Sequence, residues 1–454
     1  MNFYFSLRHR AELKTTLGIA MPIIISNLAQ ISLGLIDSAM VGNISYRHLA
    51  ASSLVINVIS IPQVVCIGMA IGILPLVGIA RGKRDPVGCS RYLFNGVWMG
   101  IITSALIGAA CILFSPGLAS MGQDPSIVPL AIPYFIVMAA SLLPMTIFLS
   151  LKNFSDALEY TRTGMLVALL SIPLNAFLNW IFIYGHFGIP RLELLGAGIA
   201  TLLTRIIMAL AMGWLILREA VYRPFIQVRK AAWKLSRHTQ KELLHLGIPS
   251  GIQLVMEAAA FGVSGVMIGW LGAIPQAAHQ IALNLASTTF MAVVGLSMAG
   301  SIRVAHAYGA NQWAQVKRIG ESTAMGGLLY GLFAASVFIL CRHLLPFLFN
   351  NEPEVVRLAA DLLVVAALFQ ASDSLQSIGA GLCRGIKDVK LPTLLVTLAY
   401  WVIGIPIGYL LAFEWDWKAK GIWWGFVIGL TMAAFLLNRR FRLHVGRLNA
   451  TMAP

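Results

Sequence analysis

Between Gly247 and Gly272 the chain carries a single ionisable side chain, Glu257, in a run that is otherwise apolar or small. A bilayer core needs about 20 apolar residues of helix, so this run is long enough to cross a membrane, with Glu257 deep inside it. Reading every such run between polar breaks predicts twelve helices, near 14–41, 49–79, 92–114, 127–150, 163–184, 196–217, 243–271, 277–302, 320–341, 355–378, 391–413 and 421–438. The joints carry turn signals such as Arg-Gly-Lys-Arg-Asp-Pro at 81–86 and Asn-Asn-Glu-Pro at 350–353. With 58% hydrophobic and 11% charged residues the chain is too apolar for a soluble fold. The fold class is an all-α polytopic membrane protein.

A formal charge of +15 raises the question of nucleic acid. The basic residues, however, sit in short clusters between apolar runs, which is the signature of topology rather than of a phosphate-binding face. Arg81, Lys83 and Arg84, the segment from Arg218 to Lys241, Arg384, Lys387 and Lys390, and Arg439, Arg440 and Arg442 all fall on one side. That side also receives both termini, so both are expected in the cytoplasm. The opposite loops hold Asp124, Glu352, Glu354, Glu414 and Asp416. Five cysteines with no CxxC spacing predict neither disulfides nor zinc.

The basic segment at mid-chain joins two copies of one unit. A shift of 227 positions superposes Pro22 on Pro249, Gly42 on Gly269, Asn57 on Asn284, Gly68 on Gly295 and Arg91 on Arg318. Each copy has six spans, an even number, so both enter the membrane from the same side as parallel repeats, with the transport path between two bundles. The expected division is an N-lobe over 1–217, a cytoplasmic linker over 218–242 and a C-lobe over 243–454.

Polar exceptions inside the spans mark the candidate site. Asn27, Gln30, Gly34 and Asp37 share one face of the first helix, and that face must meet protein or water rather than lipid. Gln253 lies one turn from Glu257, and Asp373 is flanked by Gln370 and Gln376. Asn175 and Asn179 stand one turn apart just after Pro173, which frees a backbone carbonyl. Asp37 with those two amide oxygens would suit a hard cation. Each group also has a plainer reading. Glu257 could be held neutral or be satisfied by a neighbour such as Gln253, Asp373 could line a pore without ionic duty, and the asparagines could bridge helices. Asp156, Glu159 and Asp388 are read as loop residues among surface charges.

Pro22 through Asp37-Ser-Ala-Met-Val-Gly, Ile-Pro-Leu-Asn at 172–175, Ala-Ala-His-Gln-Ile-Ala-Leu-Asn at 277–284, and Asp373-Ser-Leu-Gln together resemble the multidrug and toxin extrusion (MATE) transporters of the NorM type. The resemblance implies twelve helices in two lobes and efflux of bulky, often cationic aromatic drugs or toxic metabolites in exchange for Na⁺ or H⁺, in a bacterial inner membrane. It implies a C-lobe coupling site at Glu257 and Asp373, an N-lobe cation cluster at Asp37, Asn175 and Asn179, and Na⁺ at either set. Gln30, Gln253, Phe290 and Gln370 are the candidate substrate contacts. Phe290 stands where some relatives carry a tyrosine. No cofactor beyond the coupling ion, no nucleic acid and a monomer are expected. A lipid-linked oligosaccharide flippase is the alternative. It needs a basic cleft for pyrophosphate, whereas the acids here are carboxylates. The absence of GxxxxGK[ST], HExxH and GxSxG counts against an ATP-driven pump or an intramembrane enzyme.

Overall fold

The computed structural model describes residues 7–122, 124–226 and 233–451, so residues 227–232 of the expected linker and the chain ends lie outside the described residues. Among the described residues, twelve helices are long and apolar enough to cross a membrane. They are α1 (Leu7–Gly42), α2 (Tyr46–Gly82), α3 (Pro86–Ser120), α4 (Val128–Ala157), α5 (Thr161–Tyr184), α6 (Glu193–Arg218), α7 (Arg237–Gly269), α8 (Ala273–Gly309), α9 (Trp313–Leu340), α10 (Pro353–Gly385), α11 (Lys390–Glu414) and α12 (Lys418–Leu448). Large apolar side chains such as Leu106, Leu210, Phe333 and Phe435 are exposed on these helices, which is what a hydrocarbon solvent selects. The chain is a multi-pass membrane protein.

Proline sets the internal breaks. α2 is interrupted at Gly72 and α4 at Ser141, three residues before Pro75 and Pro144. Each proline lacks the N–H that would bond four residues back, so the helix loses its register there. In α5, by contrast, Pro173 is absorbed without a break.

By packing, the chain divides into one compact unit of residues 25–251 and a second made of residues 7–24 with 252–451. The cuts fall inside α1 and α7 rather than at the linker. Glu12 explains the placement of the first half of α1: its side chain and backbone oxygens both accept from Arg303 of α8, whose Nη1 also donates to Thr16 Oγ1 at 2.9 Å. The first half of α7 is held in the 25–251 unit by backbone approach. A β-carbon on Gly68 of α2 would collide with the backbone of Gly251. Tyr92 also donates to Glu242 at 2.6 Å. The described linker residues belong to the same unit, with Tyr222 fully buried and its hydroxyl 2.6 Å from Ser155 Oγ.

Within the 25–251 unit, α4 packs against α2, α3 and α6 around Tyr134, Phe135 and Leu142. In the other unit, its repeat counterpart α10 packs along α8, α9 and α12 around Phe369, Trp423 and Phe426. The loop assignment of Asp156 is overturned. α4 runs on to Ala157, and Asp156 is fully buried, accepting from Lys152 at 2.8 Å in a pair that the helix itself brings together. Glu159 does sit in the following turn, paired with Arg81 at 3.2 Å. Asp388 sits in the α10–α11 turn and accepts from Arg440 at 2.7 Å.

Candidate functional site

In the 25–251 unit, α1, α5 and α6 bring Asp37, Asn179 and Thr201 together. Asn179 Nδ2 donates to Asp37 Oδ1 at 2.6 Å and, more weakly, to Asn175 Oδ1 at 3.2 Å. Thr201 Oγ1 donates to Asp37 Oδ2 at 2.9 Å. Both carboxylate oxygens are thus met by neutral donors. Asn175 and Asn179 are buried on the inner face of α5, while Asn179 Oδ1 has no partner among the described residues. The amide therefore turns its NH₂ toward Asp37, whereas a cation at this point would want its oxygen. A half-turn of the Asn179 amide would supply it. Arg205, one turn beyond Thr201, acts electrostatically on Asp37, and its Nη1 donates to Ser141 Oγ at 2.7 Å.

In the other unit the set is different in kind. Glu257 Oε1 accepts from Gln253 Nε2 at 2.9 Å and from Gln376 Nε2 at 2.8 Å. Both donors use the same oxygen, so Oε2 has no donor among the described residues. Asp373, only 7% exposed, makes no hydrogen bond to a described residue and feels the charge of Glu257. One turn before it, the buried Gln370 is anchored through Nε2 to Thr289 Oγ1 at 3.0 Å, leaving its Oε1 without a partner among the described residues. The result is a group of unmatched oxygens: Glu257 Oε2, the Asp373 carboxylate and Gln370 Oε1. No Lys or Arg lies within ion-pair distance of Glu257, Asp373 or Asp37 among the described residues.

Of the expected substrate contacts, Gln253 is committed to Glu257 and Gln370 to Thr289. Gln30 on α1 and Phe290 on α8 are half-buried, each in its own unit. Sequence reasoning missed Thr201 and Arg205. The arginine carried a signal, since a charge in the middle of an apolar span is itself a marker. Thr201 carried none, because threonine is common in such helices.

The MatE family model matches residues 22–181 and again 249–410, two blocks whose starts stand 227 positions apart, the spacing of the internal repeat. The chain belongs to the MatE family. It is similar over its whole length to the probable multidrug resistance protein NorM of Rhizobium meliloti (strain 1021), with 33% identity covering 97% of this chain and 95% of that relative. Its likeness to the protein of the same name from Pseudomonas putida is also 33%, covering 96% of each. The fold is that of solved MATE structures: the eukaryotic transporter AtDTX14 superposes with a TM-score of 0.86 at 20% identity, covering 97% of this chain and 99% of that one. A MATE structure in the bent conformation superposes with 0.88 at 20%, covering 98% and 99%. This MatE chain is a transporter of the MATE/NorM kind, not an enzyme.

Proposed function

We propose that the protein is a cation-coupled multidrug efflux antiporter, which exports bulky, often cationic compounds in exchange for Na⁺ or H⁺. One observation carries the reading: the unmatched oxygens of Glu257, Asp373 and Gln370. Carboxylates inside a membrane span, beside the buried Gln370 Oε1 that has no partner among the described residues, are costly unless a proton or a hard cation meets them. Asp37 differs, because Asn179 and Thr201 already answer both of its oxygens. The Glu257–Asp373 set is therefore the favoured coupling site, with Asp37 bearing on substrate release. A cationic drug and the coupling ion would then compete for negative charge, and alternation follows if each prefers a different arrangement of the transporter. Flipping of a lipid-linked oligosaccharide would need cations for the pyrophosphate, whereas at Glu257 and Asp373 this chain presents carboxylates with no Lys or Arg within ion-pair distance among the described residues.

The same reading puts the protein in a bacterial inner membrane as a monomer, and the basic clusters favour both termini in the cytoplasm. Single-cysteine labelling in intact cells should reach residues 350–354 and not residues 233–238; the reverse pattern would overturn the orientation. The function is tested by dye efflux from inverted vesicles driven separately by a sodium gradient and by a pH gradient. Efflux under one of the two gradients is expected. Transport that answers to neither would refute ion-coupled exchange.

A further inference from the structure

At the far end of the 25–251 unit, beyond the Asp37 cluster, Ser45, His48 and Glu193 form a hydrogen-bonded chain. Ser45 caps the start of α2, its hydroxyl accepting from the His48 backbone N–H, and its Oγ lies 2.7 Å from His48 Nδ1. His48 Nε2 lies 2.8 Å from Glu193 Oε2, and since a carboxylate only accepts, Nε2 carries the proton. Glu193 opens α6, the helix that presents Thr201 to Asp37 about two turns further in. Ser45 likewise follows Asp37 by about two turns' worth of chain, across the end of α1. The two segments are therefore bonded at two levels, Asp37 to Thr201 inside and Ser45–His48 to Glu193 at the rim. Tyr184 adds a rung from α5, its hydroxyl donating to Met40 O at 3.3 Å.

Glu193 is well placed to transmit what happens at the rim. It is held at φ +52°, a conformation an L side chain adopts only when its surroundings impose it. Just beyond it, a β-carbon on Gly196 would collide with the backbone of Phe182 and Ile183, so α6 lies directly on α5, one turn from Asn179. The other charged and titratable groups nearby are committed elsewhere or reinforce the chain. Arg191 Nε lies 3.4 Å from Glu193 Oε1, and Arg47 Nε donates to the Tyr46 hydroxyl at 3.2 Å. Asp124 accepts from the Ser126 backbone, and the His186 ring is stacked on Trp180 at 3.8 Å.

We propose that His48 is a positioning residue for the Asp37 cluster, whose protonation from the medium at this rim tightens the Ser45–His48–Glu193 chain and so holds Thr201 against Asp37. The proposal rests on the reading of Asp37 as a residue of the transport cycle. When neutral, His48 accepts from the Ser45 hydroxyl and donates one neutral hydrogen bond to Glu193. When protonated, it donates on both sides, and the bond to Glu193 becomes an ion pair. The link is therefore stronger with the imidazole protonated than with it neutral. The His48 and Glu193 side chains are 12% and 40% exposed, so protons reach them and solvent screens them. The change in the opening equilibrium of the rim is then about three- to tenfold.

The test is hydrogen exchange of the backbone amides at 188–200 in the full-length protein in lipid nanodiscs, from pH 5.5 to 8.5, corrected for the intrinsic pH dependence of exchange. In the wild type, opening should rise about three- to tenfold across that range. His48→Gln, which can still donate to Glu193 but does not titrate, should lose the step. Glu193→Gln, which keeps the imidazole and removes its counter-charge, should lose it too, and it stands in if His48→Gln fails to fold. A step that survives in either variant, or is missing from the wild type, overturns the proposal. Dye efflux in the same preparations keeps the two readings apart. An exchange step accompanied by efflux that is indifferent to both His48→Gln and Asp37→Asn would uphold the rim device and overturn the role of Asp37.

Discussion

Removing the Asn179 side chain separates an ion-coupling cluster from simple interhelical glue. Asn179→Ala deletes a charge-assisted hydrogen bond to Asp37 at 2.6 Å and a neutral one to Asn175 at 3.2 Å. In soluble proteins these would be worth about 1.5–3 and 0.5–1.5 kcal/mol. Between membrane helices the measured values run lower, about 0.6 kcal/mol on average and up to about 1.7, because the separated helices find other partners. A loss of about 1–2 kcal/mol is therefore expected, which corresponds to roughly five- to thirtyfold in any equilibrium that depends on this geometry. If Asp37, Asn175 and Asn179 act on the ion together, that loss appears as a weaker apparent affinity for Na⁺ or H⁺ in gradient-driven dye efflux from proteoliposomes. The double variant Asp37→Asn/Asn179→Ala should then cost less than the sum of the singles by about 0.5–3 kcal/mol, since the second change removes an interaction already broken. Thermal melting in detergent supplies the control. A lower melting temperature with unchanged ion dependence, or strictly additive losses in apparent ion affinity, would return the asparagines to a bridging role.

Glu257→Gln and Asp373→Asn should each abolish gradient-driven efflux while leaving the protein in the membrane with near-normal melting, because the amide keeps the shape and removes the exchangeable charge; unchanged coupled transport in both would refute the coupling site. Gly68→Ala should destabilise by about 1–3 kcal/mol, since its β-carbon meets the Gly251 backbone, whereas a β-carbon on Gly251 finds only ordinary contact with Val65 O at 3.6 Å. Equal effects of Gly68→Ala and Gly251→Ala on the melting temperature would contradict this packing of α2 against α7.

The twelve spans and their repeat were legible because the solvent imposes them. A bilayer requires a long apolar helix at every crossing, and hydropathy is a property of local composition. The polar face of α1 and the pairing of Asn175 with Asn179 were legible for a related reason, the period of the helix. Arg205 was equally visible in its apolar run and was passed over. Nothing local pointed to Thr201 as the second donor to Asp37, to both amides meeting the same oxygen of Glu257, or to Asp373 being left without a donor. These depend on which helices touch and at what height, and that is decided by shape. α7 begins in the 25–251 unit because the bare backbones at Gly68 and Gly251 can meet, and α1 begins in the other unit because Arg303 reaches Glu12 and Thr16. A chain in a bilayer knows from its own residues how many times to cross. Which crossings become neighbours is settled only by contacts between distant residues, since lipid solvates every apolar helix face almost equally well.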